Sequence, residues 1–282
     1  MDLQCISEAE VSPIPRWLKQ GVALELQVSI TTGEAATLIA SLRKELASEA
    51  TDVNCIEVSP GRRKQLLIAD MDSTIIQQEC IDEIAAFAGV GQKVSDITER
   101  AMRGEIDFDG ALRERVGLLK GLRKEQLERV IEERIELTQG AKALVSTMKT
   151  NGAYCALVSG GFRFFTSRIK QEVGFDEDRS NTLLFDGDEL NGKVADPILG
   201  REAKLARLNE ILDERALSAE VCLAVGDGAN DLAMIERAGL GVAFRAKPIV
   251  AAQADAQINH CDLTGLLYLQ GYTEDDIVVS TP

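Results

Sequence analysis

Residues 66–75, LLIADMDSTI, constrain the fold of this chain more than any other stretch. Leu66, Leu67 and Ile68 form a short apolar run of the kind that buries on both faces as a central strand of a parallel sheet. The run stops at Asp70, Met71, Asp72, Ser73 and Thr74. Two carboxylates at i and i+2 just past a buried strand are costly unless something balances their charge. Taken alone, Asp-x-Asp reads as a strand end followed by an Asx-type turn. The rest of the chain overturns that reading.

Strand and helix patterns alternate from about residue 140 to the C-terminal region. A helix through Met148 precedes a strand over 153–158 and a helix from Phe162. A turn-rich piece, 181–195, carries Asp186-Gly187 and Asn191-Gly192 and predicts a hairpin excursion. A helix over 201–212, a strand over 221–225, a helix through Ile235 and a strand over 241–244 follow, then a last strand and helix near Ile258 and 263–269. Such repetition predicts an α/β fold, a Rossmann-like parallel sheet with helices on both faces. Between residues 79 and 136 no strand pattern occurs; four apolar stripes at helical spacing, separated by Gly89, Gly91, Gly104 and Gly121, predict an inserted helical cap. Ahead of the core, Val22 to Ile30 alternate as a strand, Thr31 and Glu34 fit a capping box opening a helix, and 53–58 reads as a second strand. The expected organisation is a β-α-β module with its linker at 1–62, including an irregular arm over 1–20, a core at 63–78 and 137–282, and a cap at 79–136.

Charge narrows the function. Against 31 Lys and Arg stand 46 Asp and Glu, a net charge of −15, with no basic cluster for nucleic acid or an anionic membrane. No apolar run nears the ~20 residues of a membrane span. The six cysteines are scattered without a C-x-x-C pair, and no signal-peptide pattern opens the chain, so a cytoplasmic protein is expected.

The ligand of an open α/β sheet sits outside the carboxyl ends of its strands. Three predicted strands end unusually there: in Asp70-Met71-Asp72, in Ser159-Gly160-Gly161, and in Gly226-Asp227-Gly228-Ala229-Asn230-Asp231. Ser159-Gly160-Gly161 before a helix suits an anion such as phosphate, although by itself it is also an ordinary helix cap. Asp227 and Asp231 bring the carboxylates to four, an all-oxygen donor set that favours Mg²⁺ beside a phosphate. Lys204 falls on the apolar stripe of its helix, and Arg115 on that of the cap; for each, snorkelling to solvent is the alternative. His260 is the only histidine, no nucleophile elbow accompanies it, and no zinc-site spacing exists. A carboxylate nucleophile needs no histidine.

In this order, DMDST (70–74), SGG (159–161), Lys204 and GDGAND (226–231) resemble the four motifs of the haloacid dehalogenase superfamily of phosphotransferases. The resemblance covers about residues 66–271. Within the superfamily, DSTIIQQECIDEIA (72–85), AMRGEIDF (101–108), LRERVGLLK (112–120), VSGGF (158–162) and VGDGANDLAMI (225–235) are similar to the phosphoserine phosphatases. The resemblance implies Asp70 as nucleophile and Asp72 as general acid and base. It implies Mg²⁺ on Asp70, Asp227 and the backbone carbonyl of Asp72, with Asp231 supporting. Ser159, Gly160 and Lys204 would hold phosphate oxygens, with Asn230 nearby. In the cap, Glu79 would meet the substrate ammonium and Arg115 its carboxylate, while Met102 and Phe108 exclude water. Met71 stands where Phe is common, and Cys80 where a smaller or hydroxylated residue is.

The expected activity is hydrolysis of O-phospho-L-serine. The alternatives are another small phosphomonoester, such as phosphohomoserine or phosphothreonine, and a non-catalytic amino-acid-binding or scaffold protein. The N-terminal module resembles a truncated ACT-like unit, for which packing or homodimer formation is expected in preference to sensing.

Overall fold

The computed structural model describes residues 10–11 and 15–278. Its centre is a six-stranded, fully parallel sheet. From edge to edge the strands are Ala256–Ile258, Leu240–Phe244, Cys222–Gly226, Leu66–Ala69, Tyr154–Phe162 and Glu177–Asn181. The chain steps outward from Leu66–Ala69 through the next two strands, then returns to lay Cys222–Gly226 on its other side. The crevice between those two central strands is therefore the topological switch point.

Alternate residues of each strand face opposite sides, so the sheet builds two cores. Leu67 and Ala69, with Cys155, Leu157, Leu223 and Val225, pack under helices Ala141–Thr150, Arg163–Val173 and Gly265–Leu269. Leu66 and Ile68, with Ala156, Val158, Cys222 and Ala224, pack against helices Arg201–Glu214 and Leu232–Arg237. Leu66 to Ala69 are fully buried, as the unbroken apolar run requires. The α/β sheet read from the sequence is present.

The expected helical insertion comprises Cys80–Phe87, Gly91–Met102, Phe108–Gly117 and Lys124–Arg134. It joins the core through two linkers that pair with each other: Gln77 N–H donates to Glu136 C=O at 3.0 Å and Thr138 N–H to Ile75 C=O at 2.9 Å. A second attachment comes from the hairpin of Leu183–Asp186 and Glu189–Val194, which turns at Gly187 with φ 63°. The Gly121 and Leu190 backbones bond at 2.8 Å (Gly121 N–H to Leu190 C=O), Leu190 N–H reaches Leu122 C=O at 2.8 Å, and Lys124 N–H reaches Asp188 C=O at 2.9 Å.

Several elements differ from expectation. Most of the irregular arm expected at 1–20 lies outside the described residues. The alternation from Val22 to Ile30 yields two short strands, Ala23–Glu25 paired with Arg16–Lys19 and Val28–Ser29 paired with Glu10–Val11. Leu24 and Leu26 are 46% and 41% exposed, so no apolar layer holds one long strand in register. The helix Thr32–Glu45 opens with the expected Thr31–Glu34 capping box. Residues 53–58 join no sheet; instead the Asn54 side chain bonds both the N–H and the C=O of Gln257, at 2.8 and 2.9 Å, on the edge strand. The strand Glu177–Asn181 carries no apolar pattern, and no strand is expected there from the sequence.

Candidate active site

Leu66–Ala69 delivers Asp70 to the switch point, where its N–H is the last to join the ladder, donating to Val225 C=O at 3.0 Å. Beyond it the chain makes one wide turn, Met71–Ile75, closed by Ile76 N–H on Met71 C=O at 3.0 Å, with Ser73 left-handed at φ 54°. This turn sends Asp70 and Asp72 into different surroundings. Asp70 is 4% exposed, and its Oδ1 accepts the Met71 N–H at 2.8 Å and Lys204 Nζ at 2.7 Å. The Asp72 Oδ1 accepts the Cys80 N–H at 2.8 Å, and its Oδ2 accepts the Ser159 hydroxyl at 2.9 Å.

Lys204 is 2% exposed and bridges Asp70 to Asp231, whose Oδ1 lies 2.6 Å from Nζ. The snorkelling alternative fails here, because the ammonium points into the protein. Asp231 is fully buried, and its Oδ2 accepts the Gly228 N–H at 3.0 Å. Burial raises the Asp70 acid well above its usual range, and the Asp231 charge adds to that against the pull of Lys204. Burial and Asp231 likewise push Asp227 up to about 6. For Lys204, desolvation is outweighed by the two carboxylates, so its pKa rises and the ammonium persists.

Asp70, Asp227 and Asp231 each offer a carboxylate oxygen within 4.8 Å of the others. Three carboxylates around one ammonium leave excess negative charge in a buried place, and all the donors are hard oxygens. The donor set fits a divalent metal ion.

The remaining predicted residues surround this cluster unevenly. Ser159 is 2% exposed, and its Oγ also accepts the Gly161 N–H at 2.8 Å. At Gly161 a Cβ would lie 2.7 Å from Asp72 Oδ2, so only glycine lets the two loops meet. Asn230 is half-buried in the 226–231 loop, its Oδ1 directly over Gly228. Phe108 reaches from the cap to the core: its ring carbons lie 3.5 and 3.2 Å from where Cβ atoms of Gly160 and Gly200 would be. Met102, at its helix end, is 69% exposed to solvent. Glu79 precedes the first cap helix and accepts the Ser73 hydroxyl at 2.7 Å; packing around its carboxyl, then the neighbouring Asp72, pushes it up to about 7. Arg115 is half-buried; its Nε reaches Ala111 C=O at 3.3 Å, and the charges of Asp82 and Glu79 offset part of its desolvation. Sequence reasoning missed Asn181, a 2% exposed amide against the Ser159–Gly161 turn. The polar run EDRSN carries no local signal for it, because the burial of the amide depends on the distant backbone that it meets.

Residues 67–236 match the family model of the haloacid dehalogenase-like hydrolases. Over 246 residues the chain is 46% identical to a phosphoserine phosphatase of Archaeoglobus fulgidus, covering 87% of this chain and 71% of that protein. This chain belongs to the haloacid dehalogenase-like hydrolase family. Among solved structures of the family, it superposes with a TM-score of 0.82 on a HAD-family hydrolase of Salmonella enterica serovar Typhi. That protein is 30% identical, with 92% of this chain and 89% of that one covered. A substrate-bound phosphoserine phosphatase is 41% identical with a TM-score of 0.68, over 73% of this chain and 98% of that one.

Proposed function

We propose that this hydrolase is a Mg²⁺-dependent phosphoserine phosphatase, converting O-phospho-L-serine to L-serine and phosphate, the last step of serine biosynthesis. The observation that carries the reading is the buried Lys204 ammonium shared by Asp70 and Asp231 at the switch point. The cap beside it carries Glu79, whose carboxyl feels the charges of Asp72 and Asp227, and Arg115, whose guanidinium feels that of Glu79. Phosphoserine carries a dianion at one end and a carboxylate and an ammonium at the other. Glu79 and Arg115 match the two amino-acid charges, and Lys204 together with a bound Mg²⁺ would oppose the dianion.

Asp70 is the nucleophile in this reading. Its Oδ1 is engaged by Lys204 and the Met71 amide, which leaves Oδ2 to attack phosphorus. The P–O bond to serine breaks, and the departing oxygen takes a proton from Asp72. Asp72 then accepts a proton from water as that water attacks the aspartyl-phosphate, and the bond to Asp70 breaks with release of phosphate. Asp72 is placed for this exchange two residues past Asp70, beside the Ser159 hydroxyl that its Oδ2 accepts. Asp70, Asp227 and the backbone carbonyl of Asp72 would hold Mg²⁺, with Asp231 supporting, and the ion supplies electrostatic stabilisation of the transferring phosphoryl group. Ser159, Gly160 and Lys204 hold the phosphate oxygens, with Asn230 nearby. Arg115 grips the carboxylate and Glu79 the ammonium, and Phe108 with Met102 shuts out water on closure.

The deciding experiment is phosphate release from phosphoserine, phosphothreonine and phosphohomoserine with Mg²⁺, for the wild type and Asp70→Asn. Phosphoserine should be preferred, and Asp70→Asn should lose about 10³-fold or more in kcat. Undiminished release by Asp70→Asn would remove the nucleophile assignment. Preference for phosphothreonine or phosphohomoserine would move the substrate within the class, and release from none of the three would favour a non-catalytic role.

A further inference from the structure

The Ser159-Gly160-Gly161 turn is a bulge in the parallel sheet. Val158 pairs with Arg179, but the next pairing is Phe162 with Asn181, so four steps on one strand face two on its neighbour. A bulge leaves backbone groups without ladder partners, and buried ones must find others. Asn181 supplies the partner: its Nδ2 donates to Gly160 C=O at 2.8 Å. The same side chain holds a second stretch of backbone, with Nδ2 to Leu199 C=O at 3.2 Å and Leu199 N–H to Oδ1 at 2.7 Å. Leu199 lies two residues before the helix that carries Lys204. One buried amide thus braces the phosphate turn against the entry to the lysine helix. Phe108 of the cap rests on Gly160 and on Gly200, the residue after Leu199, and Arg113 of the cap pairs with Asp196 in the same stretch.

We propose that Asn181 is a positioning residue for phosphoryl transfer, fixing the distance between Ser159–Gly160 and Lys204 and the seat on which the cap closes. It touches neither phosphate nor nucleophile. Its effect falls on the phosphate end that every substrate shares, whereas Arg115 serves only the amino-acid end. The proposal rests on the phosphatase reading above, but a featureless aryl phosphate makes it testable apart from phosphoserine specificity.

The test measures kcat and KM of Asn181→Ala and Asn181→Ser on phosphoserine and on p-nitrophenyl phosphate, with inhibition by inorganic phosphate. Displacing a catalytic group by about 1 Å costs on the order of 10²-fold. Both variants should therefore lose about tenfold or more in kcat on both substrates alike, with KM for phosphoserine within about threefold and weaker inhibition by phosphate. Thr166→Val is the control for stability. Thr166 is fully buried and bonds Asp178 at 2.8 Å and Ser180 at 2.7 Å on the same strand without touching the turn. Should Asn181→Ala not fold, the smaller change to Ser carries the test. The proposal fails if kcat stays within about twofold of wild type, if only KM changes, or if Thr166→Val loses as much activity for a similar fall in Tm. Arg115→Ala should weaken phosphoserine and spare the aryl phosphate. If it weakens both equally, the substrate reading fails while the Asn181 comparison stands.

Discussion

At the scale of single residues, Gly226 sets how closely the central strand lets Asp231 approach. A Cβ at Gly226 would stand 2.3 Å from Asp231 Cγ, inside any tolerable contact. Gly226→Ala must therefore push Asp231 away from Lys204 or distort the central strand behind it. Overpacking of this kind costs about 1–3 kcal/mol in stability. The larger expected effect is on chemistry: a fall in kcat of about 10²-fold, with weakened Mg²⁺ binding by calorimetry. Unchanged kcat in a folded Gly226→Ala protein would mean that the Lys204–Asp231 contact is dispensable.

At the scale of elements, Arg207 fastens the lysine helix to the edge of the sheet. Its guanidinium meets both Glu177 oxygens, at 2.7 and 2.6 Å, and reaches Glu210 and Glu214 from within the same helix. Arg207→Ala should lower stability by about 1.5–3 kcal/mol in urea melts, the range for hydrogen bonds to charged partners. Burial works to raise the Glu177 acid, but Arg207 and the Tyr154 hydroxyl together outweigh it and hold the acid below its ordinary value of 4.5. A depressed acid contributes stability above its unfolded pKa, and that contribution is lost as pH falls through the folded value. The stability gap between wild type and Arg207→Ala should accordingly be full near neutrality and shrink below about pH 4. A gap that is constant across pH would place the stabilisation in packing of the arginine stem.

The same region shows what the amino-acid sequence could and could not disclose. Leu66–Ala69 and Cys222–Gly226 were legible because a strand buried on both faces must be apolar at every position. Glu177–Asn181 was not, because an edge strand spends its side chains on partners: Glu177 on Arg207, Asp178 and Ser180 on Thr166, Asn181 on the Ser159–Gly161 turn. The reverse error occurred at 53–58, where β-prone residues follow the sheet edge but only the Asn54 side chain bonds to it. At the site, Lys204 was legible from its misfit on an apolar stripe. The bracing by Asn181 was not, since no local pattern reveals which distant backbone a buried amide will meet.

At the scale of the whole molecule, the carboxylate cluster would couple the binding of a cation to folding. A chain with net charge −15 that places Asp70, Asp227 and Asp231 together gains from any cation that binds only the folded form. At free Mg²⁺ about 100 times its Kd the gain is about 2.7 kcal/mol. Calorimetric Tm should rise by several degrees on Mg²⁺ addition and fall back with chelator. Asp227→Asn should blunt the rise, and an equal rise in that variant would locate the binding elsewhere.

The hairpin at 183–194 carries a practical consequence. Its Asp-Gly tip is exposed, short and polar, the kind of place where protein engineers insert a tag or a fluorescent label. Yet Asp188, Glu189 and Leu190 around that tip are stitched to Lys124, Arg123 and Leu122 of the cap. Lengthening the tip would work as a crowbar against the cap, although the cut itself lies far from Asp70 in the chain. Surface exposure is a poor guide to editable ground here, because this loop is a tendon and the helical cap is the joint it serves.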